Sequence, residues 1–273
     1  MKKLFLLSLA LLTIITTQAQ SAAQQLKKVT ELKMPKTAED AMPGKRGASI
    51  TWHPVQKKYY AVFAGNSVYP MAVFDDKAKR LSSDSQIAFI DSRGLWYDPA
   101  TKLISGNGYD DNGWFTYKLD GKGIPSDIDV IVEGMNQPNA QSVGAYNSAG
   151  KKVLFLFGSQ VYIYNKEAEV EDSLMIHWNR KKTDGPGDDE DPEDAPEDYN
   201  YTTVVYTGIK GQELGFLNIT NKQVELYDIK TGFLTKTLSF PETAVTEASF
   251  NFSYANGMYW LFNMDLRKWV GYK

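Results

Sequence analysis

The stretch "SITWHPVQKKYYAVFAG", residues 49–65, decides how the chain is read, because its pattern returns four more times. An aromatic, Trp52, stands just before a polar turn, and a continuous apolar run, "YYAVF", follows it. The same layout begins at Gly94 ("GLWYDPATKLISGNG"), Ser142 ("SVGAYNSAGKKVLFLFG"), Thr202 ("TTVVYTGIKGQELGFLN") and Ser249 ("SFNFSYANGMYWLFN"). The aromatic before the turn is Trp52, Tyr97, Tyr146, Tyr206 and Tyr254, at separations of 45, 49, 60 and 48 residues. A second aromatic closes a later strand in each unit: Phe74, Tyr117, Tyr164, Tyr227 and Tyr272. The distance from first to second anchor stays at 22, 20, 18, 21 and 18. Two anchors that hold phase through five units indicate internal duplication.

A period of 40 to 50 residues carrying several short strands is the pattern of a β-propeller. Each unit reads strand–turn–strand–loop–strand, and no long helical periodicity follows residue 20. The runs "YYAVF", "VLFLF" and "MYWLF" do not alternate, which suits a sheet covered on both faces. A β-sandwich with coincidental spacing is the competing arrangement. The expected fold is all-β, a five-bladed propeller of four-stranded antiparallel blades. The fifth unit ends at Lys273 after its third strand, and "KKVTELKMP" (27–35) precedes the first unit. That segment is expected to supply the outer strand of the last blade and so remove an open edge. Over residues 25–273 the repeat resembles the β-propeller superfamily of secreted bacterial proteins. The WD dipeptide, the kelch double glycine and the sialidase Asp-box are missing, so the resemblance carries over no functional residue.

The N-terminus, "MKKLFLLSLALLTIITTQAQ", has two lysines, an apolar run from Leu4 to Ile15, and Thr17-Gln18-Ala19. This reads as a secretory signal peptide, residues 1–19, with a single domain over 20–273. The apolar run is too short for a membrane span, which needs about 20 residues. Export is expected, to the periplasm or beyond the cell. Cysteine is absent, so neither a disulfide nor a Cys/His zinc site is available.

The formal charge of −3 becomes −5 without Lys2 and Lys3, and +4 once nine acids of residues 183–200 are set aside. The basic residues are scattered, and no block of them suggests nucleic acid or an anionic membrane. The nine acids lie in "TDGPGDDEDPEDAPEDYN" (183–200), and the 60-residue separation from Tyr146 to Tyr206 places them in a connection between blades three and four. Asp188, Asp189, Asp191 and Asp194 offer oxygens to Ca²⁺, but the glycine of a calcium loop is missing and Pro192 and Pro196 stiffen the turn. A solvated acidic insertion loop is the expectation, with weak Ca²⁺ binding as the alternative. No other cofactor or metal is expected.

No local catalytic motif stands out. His53 occupies the turn position that Asp98 and Asn147 take in the next two units, which points to turn capping. His177, beside Trp178, is read as structural, and "GYDDNG" (108–113) as a hairpin turn. Paired carboxylates at the channel mouth would serve a glycosidase-like hydrolase or lyase, and Asp91, Glu133 and Glu247 are the candidates. The favoured reading is a non-enzymatic, monomeric protein that binds a protein or glycan partner. Its binding rim is formed by the loops that enter the inner strands and those that link second to third strands. That rim is expected to carry Arg46, Tyr69, Arg93, Tyr109, Trp114, Asn139 and Gln141. A structural cell-envelope component is a third possibility.

Overall fold

The computed structural model describes residues 23–36, 46–179 and 196–273. These form five sheets arranged as the blades of a five-bladed β-propeller. Blade 1 comprises Gly47–His53, Lys58–Phe63 and Met71–Asp75; blade 2 comprises Ser92–Asp98, Leu103–Gly108, Trp114–Leu119 and Pro125–Val132. Blade 3 comprises Ala145–Asn147, Lys152–Phe157, Gln160–Tyr164 and Val170–Met175. Blade 4 comprises Val205–Tyr206, Leu214–Asn218, Gln223–Tyr227 and Leu234–Ser239. Blade 5 comprises Phe252–Ala255, Met258–Asn263 and Lys268–Tyr272, completed by Lys28–Lys33. The first strand of each blade touches the first strands of both neighbouring blades, so five inner strands close a ring.

The closing strand pairs as expected. Lys28–Lys33 runs antiparallel to Lys268–Tyr272, with Glu31 opposite Val270 and Leu32 opposite Trp269. Leu32 and Met34 are buried in the core shared by blades 5 and 1. The chain start also does something the sequence did not announce. Gln24–Gln25 adds in parallel to the outer strand of blade 4, and the Leu26 amide donates to the Ser239 carbonyl (2.8 Å). Leu26 itself is buried in the core shared by blades 4 and 5. A single segment therefore clasps two blades at their outer edges.

Blade 1 departs from the four-strand expectation. It has three continuous strands, and residues 80–87 run beside the third through isolated bridges, Phe74–Arg80 and Pro70–Ile87, rather than a ladder. The cause lies in "RLSSDSQI". The Ser82 hydroxyl accepts the Val73 amide (3.1 Å), and Ser83 and Ser85 bond each other, so side chains compete with a regular ladder.

The cores lie between blades and are built from aromatics. Phe63 meets Phe262 edge-on at 5.4 Å, Trp114 packs on Trp96 at 5.6 Å, and Trp178 packs on Phe216 at 5.0 Å. All five second anchors, from Phe74 to Tyr272, are buried. Edge-to-face pairs of this kind add about 0.5–1.5 kcal/mol each beyond area burial.

The turn reading of His53 holds. Asp98 Oδ1 accepts the Ala100 amide and Asn147 Oδ1 accepts the Gly150 amide, both at 2.9 Å; His53 Nδ1 accepts the Gln56 amide at 3.2 Å. Its Nε2 then carries the proton and donates to the Lys102 carbonyl at 3.0 Å, joining blades 1 and 2. Burial pushes the imidazole pKa down, and Lys58 adds to the effect against two backbone bonds that raise it. Because the folded-state pKa is depressed, the unfolded chain takes up the proton first as the pH drops. Stability is then lost as the pH falls from about 6.5 through the lower folded-state value. His53→Asn keeps a turn acceptor and removes this dependence. Melting temperatures of the two proteins between pH 7.5 and 5 are expected to diverge, with only the histidine form losing ground to this linkage.

The acidic insertion is described only from Pro196 onward; Asp188, Asp189, Asp191 and Asp194 fall outside the described residues. Its end is not a solvated loop. Tyr199 and Asn200 are buried, and the Tyr199 hydroxyl donates to the buried Glu225 carboxylate at 2.7 Å. Tyr227 also donates to Glu225 (2.8 Å) and accepts the Asn179 amide (3.3 Å). Burial raises the pKa of both phenols, as it must for hydroxyls that stay protonated beside a carboxylate. The acidic run thus ends in two core residues that its composition hides.

Candidate functional site

On the rim where chains enter the inner strands, the structure gathers several of the predicted residues around Phe250. The Arg93 guanidinium is buried and ion-paired to Asp91. Its Nε donates to Gln141 Oε1 at 2.9 Å, and it stacks 4.5 Å from the Tyr109 ring and 5.4 Å from Phe250. Arg46 also lies over the Phe250 ring, at 6.0 Å. Phe250 and Asn251 both adopt positive φ (52° and 57°), which costs about 1–3 kcal/mol each and persists only where the surroundings over-determine it. Here they do. The Phe250 amide donates to Thr202 Oγ1 (2.7 Å), the Asn251 amide to the Gly47 carbonyl (2.9 Å), and Asn251 Oδ1 accepts the Gly47 amide (2.7 Å).

The three carboxylate candidates do not converge on one another in a shared bonding arrangement. Asp91 is committed to Arg93 and also accepts the Gly65 amide at 2.7 Å. Glu133 stands exposed after the outer strand of blade 2. Glu247 is half-buried, and burial pushes its carboxyl up, opposed by the Arg46 charge. No group of three or more acidic or histidine side chains is gathered for a cation among the described residues.

Three other predicted positions sort differently. Asn139 is exposed on the rim, and Tyr69 is half-buried against Gly65. Trp114 is not on the rim surface at all: its side chain is 1% exposed and points between blades 2 and 3, against Trp96, Phe155 and Tyr164. It is the first residue of its strand, and strand parity turns it toward the neighbouring blade.

Two cavities frame the possible chemistry. The first, about 470 Å³, opens on the rim between blades 3 and 4. Phe157 and Tyr201, 46% and 53% exposed, stand at it with Asn139, Glu197, Ser142 and Tyr199. Sequence reasoning missed Phe157 and Tyr201, since one ends an apolar strand and the other follows the acidic run. The second, about 290 Å³, is the central channel, lined by residues from the inner strands of all five blades. The five first anchors, Trp52, Tyr97, Tyr146, Tyr206 and Tyr254, all stand in its wall. It reaches the turn end of the inner strands, at Pro54, Ser148, Gly208 and Asn256, on the face opposite the rim. No described residue lining it carries a formal charge.

Ring closure and a channel lined by five equivalent strands define the class: a five-bladed β-propeller. Among solved structures the chain is similar to the Myxococcus xanthus glutaminyl cyclase, at a TM-score of 0.53 and 8% identity, over 92% of this chain and 97% of that one. It is also similar to the Cps50 (Swd1) β-propeller domain of Myceliophteria thermophila, at a TM-score of 0.46 and 9% identity, over 90% and 99%. Likeness at this identity is likeness of fold. No protein-family model and no curated protein sequence matches the chain.

Proposed function

We propose that this is an exported, non-enzymatic binding protein that takes a protein or glycan partner on the rim, as a monomer. The observation that carries the reading is the 470 Å³ cleft between blades 3 and 4, where two large aromatics face solvent beside an amide and a carboxylate. Rigid aromatic faces supply contact area at low entropic cost, and a few polar groups supply direction. The strained, over-determined Phe250–Asn251 pair and the Arg93 cluster hold the neighbouring rim rigid, which lowers the cost of ordering on binding.

A second reading, a carboxylate-dependent hydrolase, is favoured by Glu247 alone of its candidates, because a carboxyl raised by burial suits a general acid. The fold likeness to a glutaminyl cyclase carries no residue to this chain and supports neither reading.

One experiment separates the two. The mature protein is applied to a glycan array, with and without Ca²⁺, and the array is then assayed for released sugar. Binding without release is expected. Phe157→Ala and Tyr201→Ala, both at exposed positions, should each weaken binding by at least about tenfold. Binding untouched by both substitutions would remove the cleft from consideration, and release lost in Glu247→Gln would favour the hydrolase.

A further inference from the structure

We propose that the central channel is a second binding site, on the opposite face from the rim, for the terminal residue of a neutral saccharide. It does not rest on the rim reading, and its test separates the two faces.

The argument starts from the repeat. The second anchors are buried, as packing residues should be. The first anchors are also packed on one side: Trp52 lies 4.4 Å from Tyr59, Tyr97 4.7 Å from His53, and Tyr254 4.9 Å from Tyr259. Yet all five remain only half-buried, and all five stand in the channel wall. Packing explains one side of each ring. It does not explain why every blade leaves an aromatic facing the same cavity, where about 25 cal/mol per Å² of apolar area is forfeited until something covers it.

The rest of the wall specifies what that is. Thr51, Ser148, Thr203 and Ser253 line the channel among the rings; the Ser253 hydroxyl already accepts the Ile50 amide (3.2 Å) and the Thr203 hydroxyl pairs with that of Thr202 (3.2 Å). Each inner strand is the terminal strand of its sheet, so its free edge turns toward the axis and offers backbone donors and acceptors. A charged ligand would give up its water here with no counter-charge to meet it. A purely apolar ligand would leave the edge groups unpaired. A neutral pyranose matches both features: its C–H faces lie against aromatic rings, and its hydroxyls pair with amides, carbonyls and hydroxyls.

The shape limits how the sugar enters. Toward the rim the inner strands are knotted together. Asn107 Oδ1 accepts the amides of Gly94 and Gly144 (both 3.0 Å), and the Val143 amide donates to the Thr202 carbonyl (3.0 Å). A chain therefore enters end-on from the turn face, and a volume of about 290 Å³ sits at the lower end of small-molecule sites, about 300–1,000 Å³. This selects a terminal mono- or disaccharide and excludes the middle of a chain.

Trp52 and Trp96 both line the cavity and report on it directly. The mature protein is titrated with cellobiose, maltose, N,N′-diacetylchitobiose and digalacturonic acid while tryptophan emission is followed. At least one neutral disaccharide is expected to give a saturable change, and digalacturonate none. Ser148→Arg, at an exposed turn position on the mouth, should abolish the response without disturbing the fold, and Tyr146→Ala should weaken it about tenfold. Phe157→Ala on the rim should leave it unchanged. The site is refuted if no neutral disaccharide acts up to about 10 mM, a concentration well above ordinary small-ligand dissociation constants. It is equally refuted if digalacturonate binds as well, if Ser148→Arg binds normally, or if the response follows the rim substitution instead.

Discussion

A chain begun at Lys36 should not melt cooperatively. That truncation removes the antiparallel partner of Lys268–Tyr272 and the parallel addition to the outer strand of blade 4. It also removes the large buried apolar side chains of Leu26, Leu32 and Met34, and the buried Pro35. Replacing one such side chain by alanine typically costs about 2–5 kcal/mol. Three of them together, with the lost strand hydrogen bonds, match the whole margin of about 5–15 kcal/mol that holds an ordinary domain folded. The bared third strand of blade 5 then becomes an open edge, and edges associate. Oligomers in size-exclusion chromatography and a broad, low-amplitude thermal transition are expected. A synthetic peptide spanning residues 23–36 should restore the size and the transition of the untruncated chain. A truncated chain that does not associate and melts within a few degrees of the untruncated chain would show that the clasp is not what closes the ring.

Gly94→Ala is expected to be the most damaging single substitution among the small residues of the inner ring. A Cβ at Gly94 would sit 2.5 Å from the Gly144 amide nitrogen, 2.7 Å from its carbonyl oxygen and 2.5 Å from Asn107 Oδ1. Two of these are backbone atoms of the adjacent inner strand, and Asn107 is the side chain that ties both strands together. No rotamer change relieves such a contact, so blades 2 and 3 must separate. Overpacking usually costs about 1–3 kcal/mol, and the upper end applies where backbone is the obstacle. At about 2–4 °C per kcal/mol for a chain of this size, the melting temperature should fall by roughly 6–12 °C. Gly121→Ala is the matched control, because a Cβ there meets nothing within 4 Å. Equal losses in the two variants would mean that the inner ring is not tightly closed at Gly94.

The repeat was legible because its anchors sit at fixed places in every unit, and a fixed place in a unit is a fixed place in a blade. Ring closure by residues 27–35 was legible for a similar reason: a unit that stops one strand short needs a strand from elsewhere. The turn role of His53 could be read off Asp98 and Asn147, which do the same work in the same position. Other features left no such trace. Gln24–Gln25 are two polar residues without periodicity, and only the outer strand of blade 4 gives them a partner. Tyr199 and Asn200 lie at the end of an acidic run whose composition speaks for solvent, yet Tyr199 joins Asn218 and Tyr227 around the buried Glu225, and Asn200 donates to the Glu247 and Phe250 carbonyls. The outer segment of blade 1 reads as a fourth strand by spacing, but its serines bond backbone and one another instead.

The candidate site shows the same division. Arg93, Tyr109 and Gln141 were placed on one rim from loop order alone, and they lie together there, joined by Asp91, which was read as a channel-mouth carboxylate. Trp114 was placed with them and belongs to the core between blades, because loop order does not tell which way the first strand residue points. The aromatic lining of the channel went unread, and none of the carboxylates expected at its mouth lines it. Its five aromatics were plain in the sequence as markers of the repeat, but an aromatic that packs and an aromatic that lines a cavity have the same pattern.

By itself the sequence determined the number of blades, the order of strands and the need for a closing segment, since these follow from the spacing of residues along one chain. Tertiary structure alone decided which anchors line the channel, which carboxylates are already paired, and which neighbouring inner strands are bonded to each other. Those are relations between blades some 50 residues apart, set by strand parity and the angle at which five sheets meet, and no local pattern encodes that angle.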